Sequence, residues 1–209
     1  KGLQTGPGSF CYSLPDTEYI DALIVFPNVL SPYNPVSGTS GIIEKLPGIP
    51  VYSFFVTHPQ FFSVVVDETE AIDQLISHLV KHHSFRHFSI LSGPQSGESL
   101  SCTRQKQIEA ALSKHSLTIA KEDSFTGTFT IEDGKETART ILFSGKKAPD
   151  VLICLNDQMA IGAMNEFIHN GLSVPDDIAV IGFDDVEENA SLKCSLTTLN
   201  FPIWTMCTV

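Results

Sequence analysis

Residues 149–185, PDVLICLNDQMAIGAMNEFIHNGLSVPDDIAVIGFDD, decide the fold class of this 209-residue chain. The run 151–155 is apolar at consecutive positions, as in a strand that is buried on both faces. A predicted helix over 157–170 stops before Gly171, and residues 178–182 form a second apolar run. Two doubly buried strands joined by a helix predict a βαβ unit, the building block of parallel sheets.

The same alternation of strands and helices extends to both sides of this stretch. Apolar runs predict further strands at 20–26, 49–55, 61–66, 88–91 and 196–199. Helical spacing of apolar residues predicts helices at 68–81, 103–115 and 132–143. Strands separated by helices in this way are typical of doubly wound parallel sheets, so the predicted fold class is α/β.

Composition excludes several classes of protein. Hydrophobic residues make up 42% of the chain, and 24 acidic and 13 basic side chains give a formal net charge of −11. This acidic balance repels phosphate backbones, so the segment by itself is a poor nucleic-acid binder. No apolar run approaches the ~20 residues of a membrane helix, and a signal-peptide layout is absent from the start of the sequence.

The cysteines indicate a reducing compartment. They are odd in number, show no CxxC spacing, and stand at positions 11, 102, 154, 194 and 207. Scattered cysteines of this kind are typical of reduced thiols rather than of a disulfide framework. We therefore expect a cytoplasmic protein.

Parallel α/β sheets bind ligands at the carboxyl ends of their strands, which gives the residues after each strand special interest. The residues that follow predicted strands in this way are Asn156–Asp157, Asp184–Asp185 and Gly93–Pro94. Asn156 is either a helix cap or a ligand contact, and a capping asparagine keeps an amide donor for a ligand. Asp184 either closes a turn or accepts hydrogen bonds from neighbouring hydroxyls or amines of a ligand.

Two residues outside the strand ends are further candidates. Arg104 lies in the first turns of a predicted helix, where a cation is mildly unfavourable against the helix dipole. It is either a surface arginine or a residue of the ligand site, where its planar fork suits polar oxygens. Phe129, between two threonines, is either a core aromatic or a stacking surface for a flat or sugar-like ligand.

Neither a metal site nor a catalytic site is predicted. His78 and His82 are four residues apart on a helix, but no carboxylate or cysteine at close spacing completes a ligand set. A solvated helix end is therefore favoured over a metal site. GxSxG, HExxH, GxxxxGK[ST] and GxGxxG motifs do not occur, so we predict no enzymatic activity and no cofactor.

The segment 149–185 resembles the LacI/GalR family of bacterial transcription regulators. Weaker agreement extends the resemblance over roughly residues 20 to 202. The family implies a two-lobed fold like that of the periplasmic sugar-binding proteins, each lobe a doubly wound parallel sheet, with an effector in the cleft between the lobes. On this basis we expect residues 1–86 and 200–209 to form an N-terminal lobe and residues 87–199 a C-terminal lobe.

The resemblance also implies roles for four residues. Asn156 matches the family's effector-contacting asparagine after a strand, and Asp184 the aspartate that grips sugar hydroxyls or purine nitrogens. Arg104 matches the arginine in the helix after the Gly-Pro loop, and Phe129 the aromatic that packs on the ligand. All four are expected in the C-terminal lobe.

Two departures from the family pattern leave alternatives open. The family's helix-turn-helix and its first βα units are not visible before Asp21, so the N-terminal lobe is expected to be incomplete here, as is the closing segment after Pro202. The junction 81–86 is longer than in many regulators and resembles LacI-like sensors fused to histidine kinases or diguanylate cyclases. An exported sugar-binding protein is the third alternative.

The resemblance therefore implies an effector-sensing domain of a transcriptional regulator. A sugar is the favoured effector, with purines and sugar phosphates as alternatives. Operator DNA is an expected partner only through a helix-turn-helix outside this sequence, and a homodimer is expected because two half-sites require two reading heads.

Overall fold

The computed structural model describes residues 20–27, 48–95, 99–192 and 194–208. The predicted strand 20–26 lies within these ranges, and Cys11 lies outside them. The described residues fall into two compact units that divide between Val66 and Asp67, with Ser99 and Leu100 grouped in the first. No helix in these ranges is long and apolar enough to cross a membrane.

The first unit contains a three-stranded parallel sheet. Its strands are β1 (Leu23–Val25), β2 (Val51–Phe54) and β3 (Phe62–Val64), in the order β1-β2-β3. Val25 and Val51 form its small buried core. All three strands lie inside runs that the sequence predicts as strands, although each is shorter than predicted.

The second unit alternates strands and helices. Its strands are β4 (Phe88–Ser92), β5 (Ser124–Thr126), β6 (Val151–Cys154), β7 (Ala179–Asp184) and β8 (Thr197–Asn200). Its helices are α1 (Thr69–Lys81), α2 (Leu100–Ser113), α3 (Ile131–Phe143), α4 (Asp157–His169) and the short α5 (Ile203–Met206). Short 3₁₀ turns occur at Lys121–Asp123 and Glu187–Ser191.

The sheet of the second unit is fully parallel, with the strand order β5-β4-β6-β7-β8. The predicted α/β class with parallel sheets is thus confirmed. From β4 the chain first moves outward to β5 and then returns to β6 on the other side of β4. This reversal is the topological switch point at which open α/β sheets bind their ligands.

The two units divide at a different place from the predicted lobes. Ile72, Ile76 and Leu79 on the apolar face of α1 are buried in the same core as β4, β6 and β7. Residues 201–208 also group with the second unit. The apolar face of α1 thus packs with the larger core, and the expected lobes, residues 1–86 with 200–209 and residues 87–199, stay a prediction.

Helices α3 and α4 pack closely through two glycines. A Cβ atom at Gly162 would lie 2.0 Å from the backbone oxygen of Ile131, and one at Gly134 would lie 2.0 Å from that of Met159. Since real Cβ atoms do not approach oxygen so closely, each glycine is required by the contact. This packing fixes the N-terminus of α4 and thereby the position of Asn156.

Candidate functional site

The four candidate residues lie along the carboxyl edge of the second unit's sheet, and contacts link them to one another. Arg104 contacts Asp184, and it also contacts the backbone of Leu155, the neighbour of Asn156. The side chain of Asn156 in turn contacts the backbone of Phe129. The structure thus brings together all the residues that the sequence singles out as effector contacts.

Arg104 is a buried member of this group rather than a surface arginine. It is only 3% exposed, and its Nη1 donates to the backbone oxygen of Leu155 at 3.0 Å and to Asp184 Oδ1 at 3.1 Å. Its guanidinium carbon lies 4.7 Å from the centre of the Phe183 ring, within the range of a cation–π contact. Its position near the start of α2 is therefore compensated by partners from three other parts of the chain.

Glu68, which the sequence analysis does not single out, is the principal partner of Arg104. Its Oε2 accepts from Arg104 Nε and its Oε1 from Arg104 Nη2, both at 2.8 Å. Glu68 is 7% exposed. It occupies the N-cap position of α1, but its side chain forms no capping hydrogen bond. The two residues are 36 positions apart, so neither helical nor strand periodicity signals the pair.

These carboxylates stabilise the charged form of the buried Arg104. Burial by itself lowers the pKa of the guanidinium, but the hydrogen bonds and charges of Glu68 and then of Asp184 raise it above its usual value. Arg104 is therefore a permanent cation. One positive group is matched by two acidic side chains.

Asp184 is the more accessible of the two charged candidates. It ends β7 with a φ of 103°, and Asp185 follows with a φ of 55°, so the chain turns sharply through left-handed conformations. Non-glycine residues seldom adopt such angles, and they are concentrated at functional sites. Burial is the largest effect that raises the pKa of Asp184, and the Asp157 and Glu68 carboxyls raise it further, against the lowering effect of Arg104.

Asn156 is the N-cap of α4. Its Oδ1 accepts from the backbone N–H of Met159 at 2.9 Å, which confirms the capping interpretation. Its Nδ2 donates to the backbone oxygen of Phe129 at 3.1 Å. An amide nitrogen carries two hydrogens, and this hydrogen bond uses one of them.

Phe129 lies in the loop between β5 and α3 with a φ of 69°. Its half-buried ring packs against the core and covers Gly93 so closely that a Cβ there would lie 1.9 Å from Phe129 Cζ. Glycine at the end of β4 is therefore what lets the ring lie over this strand end. The ring is both a core contact and a partly exposed apolar surface.

Asp157 supports the loop that carries Asp184. It is completely buried and accepts from the backbone N–H of Val186 at 3.0 Å and from Asn189 Nδ2 at 2.7 Å through Oδ2. Its Oδ1 accepts from Thr198 Oγ1 at 2.7 Å. These bonds tie the end of β7 to β8, so Asp157 acts on the site through the backbone.

The histidines lie away from this edge, at the end of α1. The Nε2 atoms of His78 and His83 are 3.1 Å apart, and the rings of His78 and His82 have centroids 5.0 Å apart. No group of three or more His, Cys, Asp or Glu side chains in the described part of the chain is arranged to hold a metal ion.

Comparison with known proteins identifies the family. The model of the periplasmic binding protein-like domain matches residues 76–209, which is more than half of the chain. The probable transcriptional repressor ExuR of Bacillus subtilis is 30% identical over 141 residues, which cover 68% of this chain and 41% of ExuR. The chain belongs to the LacI/GalR family. The predicted resemblance is thereby confirmed.

This chain is also similar to other members of the LacI/GalR family. The transcriptional repressor PurR of Haemophilus influenzae is 37% identical over 98 residues, which cover 47% of this LacI/GalR-type chain and 29% of PurR. A crystal structure of a sugar-binding LacI-family regulator from Escherichia coli, complexed with phosphate, matches with a TM-score of 0.77 and 24% identity. That match covers 97% of this chain and 70% of the other, and it shows a shared fold.

The LacI/GalR-type chain spans less than half the length of the curated relatives named above, 41% of ExuR and 29% of PurR. These relatives are transcriptional repressors rather than enzymes. Arg104, Phe129, Asn156 and Asp184 lie within residues 76–209, the part that the family model matches, whereas Glu68 lies just before it.

Proposed function

We propose that this LacI/GalR-type domain binds a small effector at the carboxyl edge of its second sheet, and that Asp184 is the principal polar contact. The observation that carries this proposal is the Arg104–Asp184 pair at 3.1 Å. A nearly inaccessible cation holds a half-exposed carboxylate at the end of β7, on the same edge as the switch point of the sheet. A group fixed in this way is pre-organised for a ligand.

The three other candidate residues complement this carboxylate. Asn156 has an amide hydrogen left for donation, and the ring of Phe129 offers an apolar surface beside it. Arg104 orients Asp184 and needs no contact with the ligand. A carboxylate acceptor, an amide donor and an aromatic ring together suit a sugar, whose hydroxyls form hydrogen bonds and whose C–H face packs on the ring. A related regulator of known structure is described as sugar-binding.

The effector is proposed to control transcription through segments outside this sequence. The curated relatives are repressors of the helix-turn-helix type. A ligand that binds one arrangement of the domain better than another shifts the population toward it, and this shift would change operator binding by the full-length protein. We propose that the full-length protein acts as a homodimer, since paired half-sites require two reading heads.

Thermal unfolding of the chain against monosaccharides, their phosphates and purines tests the proposal. A ligand at 100 times its dissociation constant adds about 2.7 kcal/mol. For a domain of this size the expected rise in Tm is roughly 5–10 °C. Asp184→Asn, which keeps the shape of the side chain, should abolish the rise while the variant still unfolds cooperatively.

The matched control is Asp176→Asn, the same change at an exposed aspartate. This variant should keep the full response. A ligand whose stabilisation survives Asp184→Asn unchanged would show that the effector binds elsewhere. A panel in which no compound stabilises the chain would refute the proposed sugar effector.

A further inference from the structure

We infer that Glu68 makes the site selective for uncharged, hydroxyl-bearing ligands over anionic ones such as sugar phosphates and sugar acids. This inference rests on the proposed function, since it concerns the ligand of the same site. It starts from the fact that the cation nearest to Asp184 is already engaged by a second carboxylate.

The hydrogen-bonding capacity of Arg104 is largely used within the protein. A guanidinium has five N–H donors. Four of them are used: Nε and one hydrogen of Nη2 reach the two oxygens of Glu68, and the two of Nη1 reach the Leu155 backbone and Asp184. A planar fork that is already paired with a carboxylate in this way is not available to clamp the phosphate or carboxylate of a ligand.

The balance of charge also opposes an anion. Glu68 and Asp184 place two acidic groups around one guanidinium, and the buried carboxyl of Asp157 lies close enough to raise the pKa of Asp184. An anionic ligand that approaches Asp184 therefore meets a site with excess negative charge. Because Arg104 and Glu68 are almost inaccessible, solvent screens this repulsion poorly.

The same arrangement favours hydroxyl groups. The half-exposed carboxylate of Asp184 is an acceptor, and hydroxyls of a neutral sugar donate to it without adding negative charge. With Glu68 paired to Arg104, Asp184 does not have to neutralise the guanidinium alone. Glu68 thus determines specificity through Arg104 without contacting the ligand.

Thermal unfolding of the full chain with matched ligands tests this inference. Glucose, galactose and mannose are each compared with their uronic acid and their 6-phosphate, and inorganic phosphate is included because one related regulator was solved with it. We expect a rise in Tm with at least one neutral sugar, and about tenfold weaker binding of its anionic counterparts, as one unit charge produces at a partly buried site.

Glu68→Gln keeps the shape of the side chain and removes its charge. It should strengthen binding of the anionic counterparts about tenfold relative to the neutral sugar. Glu70→Gln, an equal change of charge at an exposed position of α1, should leave the ratio of anionic to neutral affinity as in the wild type. A ratio that does not change in Glu68→Gln overturns the assignment of Glu68.

The comparison of ligands on the wild-type chain decides the charge preference even where Glu68→Gln does not fold. An anionic compound that stabilises the wild type as well as its neutral counterpart, in a manner that Asp184→Asn abolishes, overturns this inference and leaves the proposed function standing. A panel without any Asp184-dependent response overturns the proposed function and the inference with it.

Discussion

Arg104 organises the candidate site because its guanidinium is paired with two acidic residues from different elements. Glu68 precedes α1 and Asp184 ends β7, so one guanidinium joins the start of a helix to the end of a strand. The Phe183 and Phe201 rings lie 4.7 Å and 5.5 Å from its central carbon. Its removal would therefore affect both the stability of the unit and the orientation of Asp184.

Arg104→Met should destabilise the chain by about 3–5 kcal/mol, because the buried Glu68 loses its paired cation. The double variant Glu68→Met with Arg104→Met should recover much of this loss, since apolar side chains can replace a buried ion pair at little cost. Urea unfolding measures the free energy of unfolding of the wild type, of both single variants and of the double variant. A double variant as unstable as the sum of the two single variants would show that the residues do not act as a pair.

Asp184 gives the stability of the chain a specific pH dependence. Its pKa in the folded state is raised, first by burial, so the folded protein favours the protonated carboxyl. The stability of the wild type relative to Asp184→Asn should therefore be greatest below the ordinary aspartate pKa of about 3.9 and should fall as the pH rises through the higher folded-state value. Denaturant unfolding of both proteins over a series of pH values measures this difference in stability. A difference that grows as the pH rises would mean that Arg104 affects the pKa of Asp184 more than burial does.

At the scale of secondary structure, the sequence predicts most elements but not the pairing that builds the site. The apolar runs that become β4, β6 and β7 are visible because both faces of these strands are buried. Gly171, with a φ of 88°, follows α4 at the predicted position. Strand β5 was missed because it has three residues, of which only the middle one is partly buried.

Some residues of the candidate site can be found from the sequence, and others cannot. Asn156 and Asp184 can be found from sequence because they directly follow or end buried strands, where polar residues are conspicuous. Glu68 cannot, because an acidic residue at the start of a helix is also expected from the helix dipole alone. Only the packing of α1 on the second unit's core brings its carboxylate to Arg104.

The contact between α3 and α4 predicts an unusual effect of a glycine substitution. In an exposed helix, Gly→Ala stabilises by up to about 1 kcal/mol. Gly162→Ala should instead destabilise by about 1–3 kcal/mol, because its Cβ would collide with the Ile131 backbone oxygen. Ala71→Gly at an exposed position of α1 gives the reference for helix propensity. A stabilising Gly162→Ala would contradict the close packing of the two helices.

At the scale of the whole molecule, every residue of the proposed site belongs to the second unit. Its five-stranded parallel sheet places the switch point between β4 and β6, with β7 next to β6. The side chains of Glu68, Arg104 and Asp157 form hydrogen bonds that hold this edge of the sheet. The proposed effector contacts of this LacI/GalR-type chain that are named above therefore all lie at one sheet edge.

Amide chemical-shift mapping of the chain with the neutral sugar that stabilises it most tests this expectation most directly. The largest shifts are expected at Phe129, Asn156 and Asp184, while the amides of His78 and His82 at the end of α1 stay in place. Shifts that cluster at α1 and leave Asp184 unmoved would contradict an effector site at the carboxyl edge of the second sheet.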